Sequence, residues 1–211
     1  NYNTITYNKA SAIKTATNKK LSRQLFIENE VNCPAFVIPG DFKPCVIRPL
    51  SHHQGRHFTF IEDEEKFNHH YRQYERTHYY SEFIDKTQEF RVHCAHGKVL
   101  VLSEKAPPDT RVLAWNRHNS EDGFKVITWN NADPYYSVMI NALKAIESLG
   151  LDFGAVDVIF KDGEAFVLEV NTRWDMSNSN YTAKRYAKYF DWLQFETRRE
   201  HWDFSKFKKA K

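Results

Sequence analysis

The stretch Leu151-Asp-Phe-Gly-Ala-Val-Asp-Val-Ile-Phe-Lys-Asp-Gly-Glu-Ala-Phe-Val-Leu-Glu-Val-Asn-Thr172 decides how the rest of this chain is read. It predicts two apolar strands joined by a tight turn at Asp162-Gly163, a dipeptide that suits a hairpin. Polar side chains are set inside those strands: Asp157 within Ala-Val-Asp-Val-Ile-Phe, and Glu169 and Asn171 within Phe-Val-Leu-Glu-Val-Asn. A carboxylate in a strand interior is costly unless something pairs with it. Oxygen ligands gathered on one sheet face are what a hard cation such as magnesium needs.

Strand side chains alternate between faces, so Glu169 and Asn171 share one. The turn governs whether Asp157 joins them. A two-residue Asp162-Gly163 turn with a regular ladder pairs Asp157 with Leu168 and puts it on the face opposite Glu169. A three-residue Lys161-Asp162-Gly163 loop, with Gly163 left-handed, pairs Asp157 with Val167 and gathers all three polar groups. The sequence permits both turns, and the metal reading requires the second. A third reading is bland: Asp157 and Glu169 face solvent or pair with Lys and Arg, as on any half-exposed sheet.

The chain has 211 residues, enough for one large domain or two small lobes with a real core. Aromatic residues make up 15%, which fits a sheet-rich fold. The net charge of +3 does not call for a nucleic-acid partner. The basic tail from Phe204 to Lys211 reads as a solvated terminus. Cys33, Cys45 and Cys94 form no close pair and leave an odd count, so reduced thiols and a cytoplasmic setting are expected. No signal peptide stands out, no run is apolar enough to cross a bilayer, and no membrane partner is expected. The chain starts at Asn1 without a methionine, which fits a missing or processed N-terminus.

Residues 1–17 are polar and weakly patterned. Asn18 then caps a helix running from Lys19 to about Asn29. Val31 to Ile38 is extended, with Pro34 forbidding helix. Cys45 to Arg48 and Phe58 to Ile61 read as strands flanking a polar loop. The acidic start Glu62-Asp-Glu-Glu65 opens a helix to about Arg76. Strands are expected at Tyr79–Ile84, Glu89–Ala95 and Val99–Ser103, the last two joined at His96-Gly97. Asp133-Pro134 opens a helix to about Leu149, with Val138, Ala142, Ala145 and Leu149 as its inner stripe. A closing aromatic-rich helix runs from Tyr181 to about Arg199. The fold class is α+β, antiparallel sheet with helices on one side.

Two further stretches carry chemistry. Glu89-Phe-Arg-Val-His-Cys94 alternates, so Glu89, Arg91 and His93 share one face. Arg91 on that face has the planar fork that grips phosphate or carboxylate. Arg48-Pro-Leu-Ser-His-His-Gln-Gly-Arg-His57 puts a cation at a strand end. The loop that follows can cover phosphates through backbone N–H groups around Ser51 and Gly55. Ten histidines raise the question of zinc, but no pair has zinc-site spacing. No nucleophile motif stands out.

In this order the elements resemble the ATP-grasp superfamily, in particular compact ATP-grasp proteins common in tailed-phage genomes. The resemblance covers roughly residues 18 to 190. It rests on Asn18-Lys19 opening a helix, Val31-Asn-Cys-Pro34, the Arg48 strand with its loop, and Tyr80-Ser-Glu-Phe-Ile-Asp-Lys-Thr-Gln-Glu-Phe-Arg-Val-His93. The most specific pieces are Leu-Gly-Leu-Asp-Phe-Gly-Ala-Val-Asp-Val at 149–158 and Leu-Glu-Val-Asn-Thr at 168–172.

The resemblance implies two lobes of antiparallel sheet plus helices with ATP between them. Residues 18–80 would form the small lobe and 81–211 the large one, with 1–17 an N-terminal extension or a remnant of a preceding domain. It implies that Asp157, Glu169 and Asn171 hold magnesium, or manganese in its place. Lys19 and Arg48 would reach the phosphates or base, and Glu82 the adenine or ribose. Ser51 and Gly55 would lie over the phosphates. Lys86 and Arg91 would face the phosphates and the acyl substrate, with Lys105 and Asn119 on the same side. The implied activity is a carbon–nitrogen ligation in which ATP phosphorylates a carboxylate and an amine displaces the phosphate. The acid would be an amino acid or peptide, and a protein partner could complete the acceptor site. A phage-encoded chain would work in the cytoplasm of the host cell.

The chain departs from its relatives at two places. Its phosphate-covering loop has one glycine where they tend to have three, and Arg173-Trp-Asp-Met follows Asn171-Thr172 where they continue Ala-Pro-Gly-Leu. Two alternatives therefore stand beside ligation: an ATP-binding protein without ligase activity, and a basic nucleic-acid-binding module.

Overall fold

The computed structural model describes residues 7–50, 59–105, 124–127, 133–173 and 180–200. Two units are present, residues 1–174 and residues 175–211. The second contributes one described element, the helix α5 (Asn180–Glu200).

The first unit opens with a helix that the sequence reading missed. α1 (Ala10–Thr17) lies within the stretch taken as weakly patterned and buries Ala12 and Ala16. Its small side chains leave little periodic signal, yet they let it pack closely on α2 (Lys19–Glu28) and the edge of the larger sheet. Asn18 caps α2 as expected, its side chain accepting from the Leu21 amide at 3.1 Å.

A three-stranded antiparallel sheet follows, in order β2–β1–β3: β1 (Cys45–Pro49), β2 (Thr59–Ile61) and β3 (His78–Glu82). Between β2 and β3 runs α3 (Glu64–Tyr74), capped by Asp63 through the Lys66 amide at 2.8 Å. Phe67, fully buried, joins Val37, Cys45, Ile47, Ile61 and Tyr80 in the core of this part.

The larger sheet has five antiparallel strands in order β6–β5–β4–β7–β8. These are β4 (Gln88–Ala95), β5 (Lys98–Lys105), β6 (Phe124–Val126), β7 (Phe153–Lys161) and β8 (Glu164–Asn171). A 3-10 turn at Asp133–Tyr135 leads into α4 (Tyr136–Ser148). The predicted stripe Val138, Ala142, Ala145 and Leu149 is buried, and it packs on the apolar face with Phe90, Val92, Leu102, Val156, Val158 and Val167.

The β7–β8 hairpin resolves the open question of register in a way neither simple alternative contained. The turn is the two-residue one: Lys161 pairs with Glu164, and Asp162 and Gly163 take φ of 51° and 86°. Both central residues with positive φ are what a type I′ turn needs, and Asp-Gly supplies them. With a regular ladder this turn would have separated Asp157 from Glu169. However, Val158 pairs with Val167 while Asp157 pairs with Glu169, so Leu168 is an extra residue in β8. That bulge reverses the alternation and returns Glu169 to the face of Asp157. The three-residue loop that the metal reading demanded is absent, and the face it was meant to secure is reached by another route.

Candidate functional site

One face of the five-stranded sheet is apolar and the other collects charge. Arg91 lies opposite Asp157 on β7 and Ser103 on β5, and Asp157 lies opposite Glu169 on β8. Alternation brings Glu89, His93, Lys105 and Asn171 onto the same face. Glu89, His93, Ser103, Lys105 and Asp157 are all buried there.

Arg91 grips Asp157 with both arms of its guanidinium, Nε to Oδ1 at 2.8 Å and Nη2 to Oδ2 at 2.9 Å. Lys105 Nζ approaches Asp157 Oδ2 at 3.3 Å and also donates to Glu89 Oε1. Lys86 Nζ holds the other oxygen of Glu89. At the outer strand, Lys19 Nζ donates to Glu169 Oε2 from the first turn of α2. Asn171 Nδ2 donates to Asp157 Oδ2 at 3.3 Å.

Burial opposes ionisation of Asp157, but Arg91 and Lys105 outweigh it and hold the carboxyl well below its ordinary range. Glu169 follows the same pattern: burial opposes its charge, and Lys19 more than compensates. Burial also works against the Lys105 ammonium, and Asp157 and Glu89 raise its proton affinity overall. Lys86 goes the other way, because burial outweighs the help from Glu89. Burial, assisted by Arg91, pushes His93 down to about 4, so its imidazole is neutral near neutral pH.

The resulting cluster has four cations, Lys19, Lys86, Arg91 and Lys105, around three carboxylates, Glu89, Asp157 and Glu169. Arg48 on β1 adds to the positive field at Glu169 and Lys86. An excess of buried positive charge next to paired oxygen donors suits an anion carried with a hard cation.

The structure thus brings together Lys19, Lys86, Arg91, Lys105, Asp157, Glu169 and Asn171. Glu82 ends β3, and Lys43 Nζ lies 3.5 Å from its Oε1. Ser51, Gly55 and Asn119 lie outside the described residues. Sequence reasoning did not assign roles to Glu89 and Arg23. The strict alternation of β4 pointed to Glu89, since it put that residue beside Arg91. Arg23 gave no signal, because an arginine on an amphipathic helix normally faces solvent.

Neither a protein-family model nor a curated protein matches the chain. Solved structures do. The L-amino acid ligase from Bacillus licheniformis superposes with a TM-score of 0.59 at 18% identity, over 82% of this chain and 43% of its own. D-alanine–D-alanine ligase from Bacillus anthracis complexed with ATP gives 0.61 at 17% identity, over 84% and 62%. The ATP-grasp ligase PsnB, complexed with precursor peptide PsnA2 and AMPPNP, gives 0.58 at 15% identity, over 81% and 54%. The chain spans 43% to 62% of the length of these three proteins. The two sheets, their helices and their connections thus give this chain the fold of the ATP-grasp ligases.

Proposed function

We propose that the polar face of the five-stranded sheet binds ATP with magnesium, and that the bound ATP drives ligation of a carboxylate to an amine. The observation that carries the reading is the placement of Asp157 directly opposite Glu169, with Arg91 and Lys105 beside them. A sheet face with no ligand to hold has little reason to keep so many buried charges, since buried ion pairs are weak contributors to stability.

The donor set fits the metal. Asp157, Glu169 and Asn171 supply hard oxygens from adjacent ladder positions, and both carboxyls are held ionised. Magnesium there would neutralise charge on the transferring phosphoryl group. Arg91, Lys105 and Lys19 now occupy the carboxylates, and on nucleotide binding these cations would turn to the phosphates. Lys86 sits on the same network through Glu89 and would face the acyl group. Arg48 and Glu82, both on the three-stranded sheet, would serve the phosphates and the adenine or ribose. The small lobe would comprise residues 18–80 and the large lobe residues 81–211, a division that falls within β3.

The chemistry requires no protein nucleophile. The substrate carboxylate attacks the terminal phosphorus, ADP leaves, and the amine then displaces phosphate from the acyl phosphate to form the amide. Amino acids and peptides head the candidates for the acid, because the structural neighbours include an amino acid ligase and a ligase bound to a precursor peptide.

Calorimetry of ATP with and without magnesium, on the wild type and Glu169→Ala, tests the site. Magnesium should tighten ATP binding in the wild type, and the variant should lose that gain by about 100-fold. Screening acids and amines for ADP release then separates ligation from nucleotide binding alone. Binding that ignores magnesium and Glu169 but weakens steeply with salt would instead favour a nucleic-acid partner.

A further inference from the structure

Arg23 follows Lys19 on α2 by about one turn and is 4% exposed. Its Nη1 donates to the Pro34 carbonyl at 2.5 Å, and its Nη2 to the Leu168 carbonyl at 3.4 Å. Its Nε is buried without a hydrogen-bond partner among the described residues. Burial lowers its proton affinity below the usual arginine value. A guanidinium in that position is expensive, and a methionine of similar length would fill the space without the penalty. What methionine cannot do is donate to two carbonyls from two different segments.

Those two segments meet at the bulge. Leu168 is the residue inserted into β8, the edge strand, and Pro34 belongs to the connector whose Asn32 bonds to that same strand. Asn32 in that connector accepts from the Val167 amide at 2.8 Å and donates through its side chain to Ala165 O at 3.0 Å. The connector therefore holds β8 at Ala165 and Val167, and Arg23 extends the hold to Leu168.

This hold opposes a specific competitor. The Asp162-Gly163 turn by itself favours a regular ladder with Asp157 opposite Leu168, which would send Glu169 to the other face. We propose that Arg23 is a positioning residue that pins the Leu168 bulge and so keeps Glu169 opposite Asp157. Its consequence for nucleotide rests on the function proposed above; its effect on the strand does not.

The test uses Arg23→Met, Arg23→Lys and a deletion of Leu168, with AMPPNP titrated in the presence and absence of magnesium. Arg23→Met should cut the magnesium-dependent gain in affinity by about 10-fold or more, in the range usual for groups that orient metal ligands. It should leave magnesium-free affinity unchanged, a split that general loosening would not produce. Arg23→Lys keeps the charge without the two-armed reach and should fall between, and it serves if the methionine variant does not fold. Deleting Leu168 returns Glu169 to the face of Asp157 without a bulge. Arg23→Met should then cost nothing further in that background. An unchanged magnesium gain in a folded Arg23→Met variant overturns the proposal.

Amide hydrogen exchange gives a readout independent of ligand. Protection at Val167 to Val170 should fall about 10-fold in Arg23→Met, with β4 unaffected. If wild-type protein shows no magnesium-dependent nucleotide binding, the proposed function fails. Exchange then decides on Arg23 alone, and unaltered protection of β8 overturns its role.

Discussion

The two faces of the five-stranded sheet are made by alternate residues of the same strands, yet they obey different physics. On one face Phe90, Val92, Leu102, Val156, Val158 and Val167 pack with α4 into a continuous apolar core. On the other, Glu89, Arg91, Lys105, Asp157 and Glu169 are held by ion pairs that had to be stripped of water to form. Burial of apolar surface drives folding on the first face. The second contributes little net stability, because desolvation offsets most of the attraction. The lesson is that the first face holds the second in place. A ligand that takes over these charges would recover the interactions they now make with each other.

The largest expected departure between the faces comes from breaking one ion pair. Arg91→Met takes the two-armed partner from buried Asp157, leaving it Lys105 and Asn171 as side-chain partners among the described residues, and should lower unfolding free energy by about 3–5 kcal/mol. Replacing both partners, Arg91→Met with Asp157→Leu, should recover at least half of that in urea titrations. Failure to recover would mean that the pair itself stabilises the fold, and the contrast between the faces would collapse.

Next comes pH. His93 is neutral in the folded protein down to about 4, whereas in the unfolded chain it takes up a proton near 6.5. As pH falls between those values the unfolded state binds the extra proton, so stability is full above about 6.5 and declines toward about 4. The decline should reach about 3 kcal/mol at most, and His93→Gln should flatten it. Asp157 and Glu169 contribute separately: their folded values are depressed, so their share is present above the ordinary carboxylate range and lost only at lower pH.

The smallest effect belongs to the apolar face. A Cβ at Gly154 would lie 2.8 Å from Ile146 Cδ1 and 3.0 Å from Val170 Cγ1. Gly154→Ala should cost about 1–3 kcal/mol in thermal or urea unfolding, as the Ile146 side chain shifts to make room. The tight contacts lie on the apolar face and the Asn171 carbonyl, 3.4 Å away, is at ordinary contact distance, so the proposed ATP affinity of the folded protein should not change.

Much of this could be read residue by residue. The α4 stripe followed from apolar spacing, the β7–β8 turn from Asp162-Gly163, and the shared face of Glu89, Arg91 and His93 from alternation along β4. α1 escaped because Ala-Ser-Ala-Ile-Lys-Thr-Ala-Thr buries two alanines rather than a bulky stripe. β6, only Phe124–Val126, is too short to show any period. The burial of Arg23 escaped because nothing in α2 distinguishes it from a solvent-facing arginine.

The sequence by itself determined which residues could meet: a tight turn at Asp162-Gly163, charged positions two apart on β4, and carboxylates inside β7 and β8. Those are local properties, written in backbone preference and period. Only the tertiary structure decided that Leu168 bulges out and that Lys19 reaches Glu169, 150 residues away. It also set Arg91 on Asp157. Each of these depends on which distant segment lies alongside, and a regular ladder satisfied the local rules equally well. The choice fell to contacts across the fold: the connector at Asn32 and Pro34 along β8, and Arg23 buried between Pro34 and Leu168.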